Sequence, residues 1–263
     1  MAAEIIDVGG GRHFPDGGAV VIGGSGGIGA AICTRLADHG CDVALTYRNN
    51  REKAESVAAA VNAAGRRSLT GAVDVTDYAA VERFMGEAAQ SFGRVHTVIF
   101  ATGADISMTY TSQIDLDEWR RTIDGELTGF LHVLKAGLPY LRSGGGGSIV
   151  AVTTAGIDRH PPKDILSVAP KAGVEALVRG IAREEGRYGI RANSVALGVI
   201  DAGLFHRLEQ RLTPEFVEAM KGNTALKRFG TAREAADAAV FLASSVSGFI
   251  TGHRLVVDGG YSI

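Results

Sequence analysis

The sequence predicts one α/β domain: a doubly wound parallel sheet of about seven strands flanked by helices. Three observations lead there. Short apolar runs alternate with amphipathic helical stretches from residue 19 onward, and strands separated by helices pair in parallel through right-handed crossovers. The first apolar run breaks into a glycine cluster and passes directly into a helical pattern. No second apolar core emerges, although 263 residues would allow two small domains, and no linker is long enough to separate one. In such a fold a ligand is expected outside the carboxyl ends of the strands.

The elements follow in order. Residues 1–18, with GGG and PDGG, read as an N-terminal arm, and 19–263 as the domain. Residues 19–22 (AVVI) form a buried strand that ends in GGSGGIG. Gly23, Gly27 and Gly29 fit the spacing G-x-x-x-G-x-G: the first allows the turn, the second a close ligand approach, the third helix–strand packing. The helix that follows points its unpaired first-turn N–H groups, and the positive end of its dipole, at the turn. That end suits a phosphate or pyrophosphate, and the strand–turn–helix context favours a dinucleotide over a plain glycine turn. A second strand is expected at 42–47, a helix at 50–64 closed by Gly65, and a third strand at 68–73. Thr76 or Asp77 caps a helix running to about Phe92, and the fourth strand covers 95–101. Helical pattern spans 116–141, a glycine loop 144–147, and the fifth strand 148–154. The polar stretch 156–164 (GIDRHPPKD) leads into a helix at 167–188 and a sixth strand at 191–196. Residues 199–225 show short mixed helical pattern, and a helix at 232–243 and a strand at 254–257 end the chain.

Composition narrows the partners. A hydrophobic fraction of 46% and a charged fraction of 21% are those of an ordinary globular protein. A net charge of −2 gives no reason to expect nucleic acid or an anionic membrane, so a small-molecule substrate is the expected partner. No apolar run approaches the ~20 residues that span a bilayer, and MAAEIIDVGGG lacks a basic-then-apolar leader pattern. Cys33 and Cys41 have no metal-ligand spacing; they read as buried thiols of a cytoplasmic protein, and no metal is expected.

By this point the chain resembles the short-chain dehydrogenase/reductase family over almost its full length. The resemblance rests on GGSGGIG at 23–29, DVTD at 74–77, KAGVEAL at 171–177, GIRANSVALG at 189–198 and ITGHRLVVDGG at 250–260. It implies a Rossmann fold and a nicotinamide cofactor. Ser25, Gly27 and Ile28 would line the pyrophosphate turn, and Asp74 and Val75 would hold the adenine. The fourth-strand loop, NNAG in the family, reads Phe100-Ala101-Thr102-Gly103, keeping the close-approach glycine but losing the asparagines, with Ala101 and Gly103 against the cofactor. Ile200 matches the residue whose backbone holds the nicotinamide carboxamide. At the end of the second strand an acid would select NAD(H); Tyr47 and Arg48 stand there instead. A guanidinium suits a 2′-phosphate, which implies NADP(H). The C-terminal ITG…VDGG resembles the family's subunit-joining segment and implies a homotetramer or homodimer.

The family's catalytic groups are partly replaced. Lys171 is kept, but four residues before it stands Ser167 in place of tyrosine. Thr154 stands for the serine and Glu126 for the asparagine of the long helix. An aliphatic hydroxyl is a far weaker acid than a phenol, and a shorter one. Glu126 is read either as a partner of Lys171 or as an exposed helix carboxylate. The enoyl-acyl-carrier reductases carry their tyrosine seven residues before the lysine, where this chain has Asp164. The 2,4-dienoyl-CoA reductases are partly similar, pairing two threonines with S-x-x-x-K, but their tyrosine and asparagine are here Gly156 and Glu126. In that chemistry hydride adds to a conjugated carbon, and donors such as Thr154 and Ser167 need only hold an enolate-like oxygen. His160, in the loop over the cleft, titrates near neutral pH and is the substitute acid that the residue types suggest. Met108, Tyr110, Leu204, Phe205 and Met220 suggest an apolar substrate. The expected function is NADP(H)-dependent reduction of a conjugated enoyl or carbonyl group. A non-redox activity on the same fold (isomerase, dehydratase or cyclase) and a non-catalytic cofactor-binding subunit remain the alternatives.

Overall fold

The computed structural model describes residues 13–263, so residues 1–12 of the expected arm lie outside the described residues. Residues 13–18 pack on the domain: Phe14 is buried in the core, the His13 carbonyl accepts from the Ser245 N–H, and Gly18 already belongs to the first strand. The strands are β1 (Gly18–Ile22), β2 (Asp42–Tyr47), β3 (Ser68–Ala72), β4 (Val95–Phe100), β5 (Gly147–Thr154), β6 (Ile190–Leu197), β7 (Ile200–Asp201), β8 (Gly230–Thr231) and β9 (Arg254–Val257). Seven of them form one parallel sheet in the order β3-β2-β1-β4-β5-β6-β9. The order turns back between β1 and β4, which opens a crevice at the carboxyl ends of those strands. The two-residue strands β7 and β8 pair separately.

The helices are α1 (Gly27–Asp38), α2 (Arg51–Ala63), α3 (Tyr78–Phe92), α4 (Leu116–Ile123), α5 (Gly129–Ser143), α6 (Gly156–Arg159), α7 (Ile165–Glu185), α8 (Leu204–Glu209), α9 (Pro214–Gly222) and α10 (Ala232–Ala243). Alternation along β1 divides the core between the two faces of the sheet. Ala19 and Val21 join Ile32 and Leu36 of α1, Val57 of α2 and Ala239 of α10. Val20 and Ile22 join Phe84 of α3, Phe130 of α5 and Val174 of α7. Each large apolar side chain among these, fully buried, contributes ~1.5–3 kcal/mol. Asp77 caps α3 by accepting from Ala80 N–H, whereas Thr76 turns back to Asp74. Thr231 and Glu234 form a reciprocal capping box on α10.

Two boundaries differ from the sequence expectation in ways that shape the site. The pattern at 116–141 is not one α-helix: five residues, Asp124–Thr128, form a π-helical turn between α4 and α5. Such a turn inserts an extra residue and re-aims its neighbours, which a 3.6-residue period does not register. The helix expected at 167–188 begins at Ile165 and ends at Glu185, with a 3₁₀ turn over Gly186–Tyr188. Asp164 therefore sits at its N-cap.

Candidate active site

The glycine turn is locked by backbone contacts. Gly23 N–H donates to Thr46 Oγ1 at 2.9 Å, and Ser25 N–H to the Thr46 carbonyl at 3.3 Å, so the end of β2 holds the turn. Gly23 takes a positive φ of 81°, and a side chain on Gly29 would collide with the Gly23 carbonyl. Helix α1 has no side-chain cap and no acid in its first turn, which leaves that turn's N–H groups to a ligand. A cradle that admits no Cβ, closed by an uncapped helix end, fits a pyrophosphate.

Around it lie the other expected cofactor positions. Asp74 is exposed, and Thr76 donates to its Oδ1 from both the backbone N–H (2.9 Å) and the hydroxyl (2.7 Å). These bonds, with the nearby Arg48 guanidinium, hold its carboxyl below the usual range. Arg48 is itself exposed at the end of β2, while Val75 and Ala101 are half-buried. Ala101 N–H donates to the Ile22 carbonyl, tying the β4 loop to the turn. The segment leading into α8 lies on the same rim. A Cβ on Gly27 would stand 2.6 Å from Gly203 N, and one on Gly103 2.5 Å from Leu204 Cδ1. Ile200 is buried, and its carbonyl accepts from Ala202 N–H.

A cavity of about 190 Å³ joins this rim to the expected catalytic residues; Ile28, Gly103, Glu126, Thr154, Ser167 and Lys171 all border it. Lys171 is 7% exposed, and its Nζ donates at 3.0 Å to the carbonyls of both Thr102 and Val152. Glu126 is 4% exposed, with Oε2 2.6 Å from the same Nζ, close as an ion pair but not aligned as a hydrogen bond. Of the two readings of Glu126, partner or exposed carboxylate, burial decides for the partner. The π-helical turn delivers it there. Thr154 Oγ1 accepts from Gly156 N–H at 3.0 Å, which leaves its own proton for another acceptor. Thr102 Oγ1 is buried at the cavity wall without a partner among the described residues, an orphan that a bound hydroxyl would satisfy.

His160 is not at the cavity. It is exposed, with a left-handed φ of 45°, at the end of α6. The apolar residues divide as well: Leu204 lines the cavity, whereas Phe205 is buried against Phe229 with ring centroids 4.8 Å apart. Met108 and Tyr110 are exposed, Tyr110 with Lys163 Nζ over its ring at 4.9 Å.

Sequence reasoning missed two features. Arg254 of β9 donates to the Thr154 carbonyl at 3.1 Å while paired with Asp158 (2.6 Å) and Glu175 (2.8 Å). Glu175 also accepts from Thr153 Oγ1 at 2.7 Å, so the end of β5 is held from behind by residues far away in sequence. The other feature is Asp164, whose carboxyl has no hydrogen-bond partner among the described residues. Burial pushes its pKa up to about 6. Asp164 does not border the cavity, and only its place seven residues before Lys171 marked it in the sequence.

Comparison with known proteins agrees with this geometry. Residues 23–262 match the family profile described as enoyl-(acyl carrier protein) reductase. The chain is 35% identical over 96% of its length, and 99% of the relative, to cis-4-hydroxycyclohexanecarboxylate dehydrogenase of Sinomonas cyclohexanicum. It is 33% identical to L-rhamnose 1-dehydrogenase (NAD(P)(+)) of a Sphingomonas species, over 92% of this chain and 94% of that one. A short-chain type dehydrogenase/reductase from Mycobacterium ulcerans superposes with a TM-score of 0.88 at 28% identity, covering 95% and 91% of the two chains. With the glycine turn, the seven-stranded order and Lys171 at the crevice, these matches place the chain in the short-chain dehydrogenase/reductase family, oxidoreductases that bind nicotinamide cofactors.

Proposed function

We propose that the protein is an NADP(H)-dependent oxidoreductase that reduces a conjugated enoyl or carbonyl group of a small apolar substrate. The observation that carries this reading is the continuous cavity running from Ile28 at the glycine turn to Thr154, Ser167 and Lys171. The nicotinamide supplies the hydride. The turn's free N–H groups would hold the pyrophosphate, Asp74 and Val75 the adenine, and the exposed Arg48 a 2′-phosphate. Thr154 and Ser167 offer hydroxyl donors to the substrate oxygen, where charge develops. Lys171, fixed by two carbonyls and Glu126, places a positive charge beside them. The wall contributed by Ile106 and Leu204 suits an apolar substrate.

The test is cofactor titration followed by fluorescence. NADPH is expected to bind at least about tenfold more tightly than NADH, and Arg48→Ala to remove most of that difference. Equal affinities in the unmodified protein would overturn the NADP(H) assignment.

The same reading includes a cytoplasmic homotetramer or homodimer. Its support is a C-terminal edge strand, β9, flanked by exposed apolar residues: Phe249 is fully exposed, and Val246, Val256 and Ile263 are exposed as well. Light scattering at micromolar protein should give the assembly; a monomer would refute it.

A further inference from the structure

A second cavity, of about 570 Å³, lies at the other edge of the sheet. It borders the amino-terminal ends of β4, β5 and β6, at Arg94, Gly147 and Ile190, whereas the candidate active site lies at their carboxyl ends. His13, Arg94, His96 and Arg191 line it, and among the described residues no aspartate or glutamate does. The two arginines set it apart. Arg35, Arg66 and Arg254 are also wholly or partly buried, and each is paired with a carboxylate. Arg94 and Arg191 are the only half-buried arginines among the described residues without an ion pair, and both line this cavity.

Neither charge is cancelled from within. Arg191 donates to carbonyls at the end of α10, to Leu242 at 2.8 Å and Ser244 at 2.9 Å, and burial pulls its pKa down. Carbonyls at a helix end offset only roughly half a charge. Arg94 reaches the Gly146 carbonyl at 3.4 Å, and its Nε is buried without a hydrogen bond. Its charge also bears on His96, which is 2% exposed and whose pKa is pushed down to about 4, by burial first and Arg94 second. His96 Nε2 makes no aligned hydrogen bond. The cavity therefore combines uncompensated positive charge with polar groups that lack partners.

We propose that this cavity is a binding site for a phosphate monoester, its phosphoryl group drawn to Arg94 and Arg191. At neutral pH such a group carries about −1.5 to −2 charge, which matches two guanidiniums better than a carboxylate does. Its oxygens also suit the planar guanidinium fork. The volume is about three times that of the catalytic cavity, so an organic body fits beside the phosphate. Pro15 and the fully exposed Phe249 on the wall suit an apolar or aromatic body. The site is separate from the crevice and does not rest on the oxidoreductase reading.

The experiment titrates the full chain with phenyl phosphate, benzoate and phenol at low salt, where charge attraction is least screened. The readout is the imidazole ¹⁵N resonance of His96, identified by its loss in His96→Gln, because it reports this cavity and not the glycine turn. Phenyl phosphate should move it at least about tenfold more tightly than benzoate, and phenol should leave it unmoved. Arg94→Gln should weaken the response to phenyl phosphate at least about tenfold, since a charge-assisted bond is lost. Arg48→Ala, at the crevice, should change it less than about twofold. A His96 resonance unmoved by phenyl phosphate, or moved as readily by benzoate, overturns the proposal. So does an Arg94→Gln protein of unaltered affinity, or a response that Arg48→Ala abolishes. Should Arg94→Gln fail to fold, the wild-type discrimination between phosphate and carboxylate decides alone.

Discussion

The two halves of the crevice are built from different materials. On the β1–β2 side the site is made of backbone: glycines that admit no Cβ, an uncapped helix end, and Thr46 pinning the turn. On the β5–α7 side it is made of titratable side chains, with Lys171 against Glu126, Arg254 between Asp158 and Glu175, and Asp164 facing Gly156. Backbone geometry fails when any side chain is added. A set of charges keeps working if one member changes and another compensates. The family's catalytic tyrosine and long-helix asparagine are replaced on the second side, and the asparagines of the β4 loop between the two are replaced as well, while the first side keeps its glycines.

The sharpest way to break the comparison is on the rigid side. Gly29→Val would drive a Cβ into the Gly23 carbonyl, which already accepts from the Gly26 N–H at 3.0 Å and would lose that bond if it swung away. We expect a loss of at least about 3 kcal/mol in stability, together with loss of NADPH binding. Gly40→Ala is the control: open space surrounds that position, so only the left-handed backbone penalty of ~1–2 kcal/mol applies. Urea midpoints and cofactor titrations measure both. Similar losses at the two positions would mean that the turn is no more constrained than an ordinary loop.

On the charged side, Glu126→Ala strands the Lys171 ammonium in the interior, and we expect it to cost ~3–5 kcal/mol. Glu126→Gln keeps an acceptor and should cost less. Removing both charges, as Glu126→Ala with Lys171→Met, should recover part of the loss, because the pair's desolvation is then avoided. A single-variant cost below about 1 kcal/mol would show that solvent reaches the pair.

The same division explains what the sequence reveals. The fold and the dinucleotide turn are written locally: apolar runs of strand length, a glycine spacing, and capping residues within a few positions of the helices they start. The catalytic half depends on what distant residues do to one another. Nothing in Glu126-Leu127-Thr128-Gly129 signals a π-helical turn, so the burial of Glu126 against Lys171 could be posed only as one of two readings. Arg254 lies 100 residues from the Thr154 carbonyl it holds, and no local pattern connects them. His160 has the residue type of a catalytic acid but an exposed position, whereas Asp164, an ordinary N-cap by sequence, is half-buried with its carboxyl pushed up. Residue type indicates which chemistry is available, and burial decides how each group titrates.

That shift has a measurable cost in stability, the smallest effect expected here. The Asp164 pKa in the folded protein is raised to about 6 from an ordinary value near 3.8. Between those values the folded state binds more protons than the unfolded one, so stability falls as pH rises through the window and stays lower above it. Below about pH 4 both states are protonated and the cost vanishes. Two pKa steps set an upper bound of about 3 kcal/mol, and partial exposure brings the expected cost to about 1–2 kcal/mol. Asp164→Asn removes the ionisation but keeps the shape, and any penalty for burying its amide does not vary with pH. The variant's stability relative to wild type should therefore improve by that amount between about pH 4 and about pH 8, with most of the change complete by about pH 7. Urea unfolding of both proteins across that range measures it. A difference independent of pH would mean that Asp164 ionises as freely in the folded chain as in the unfolded one, and the charged half of the crevice would lose its idle acid.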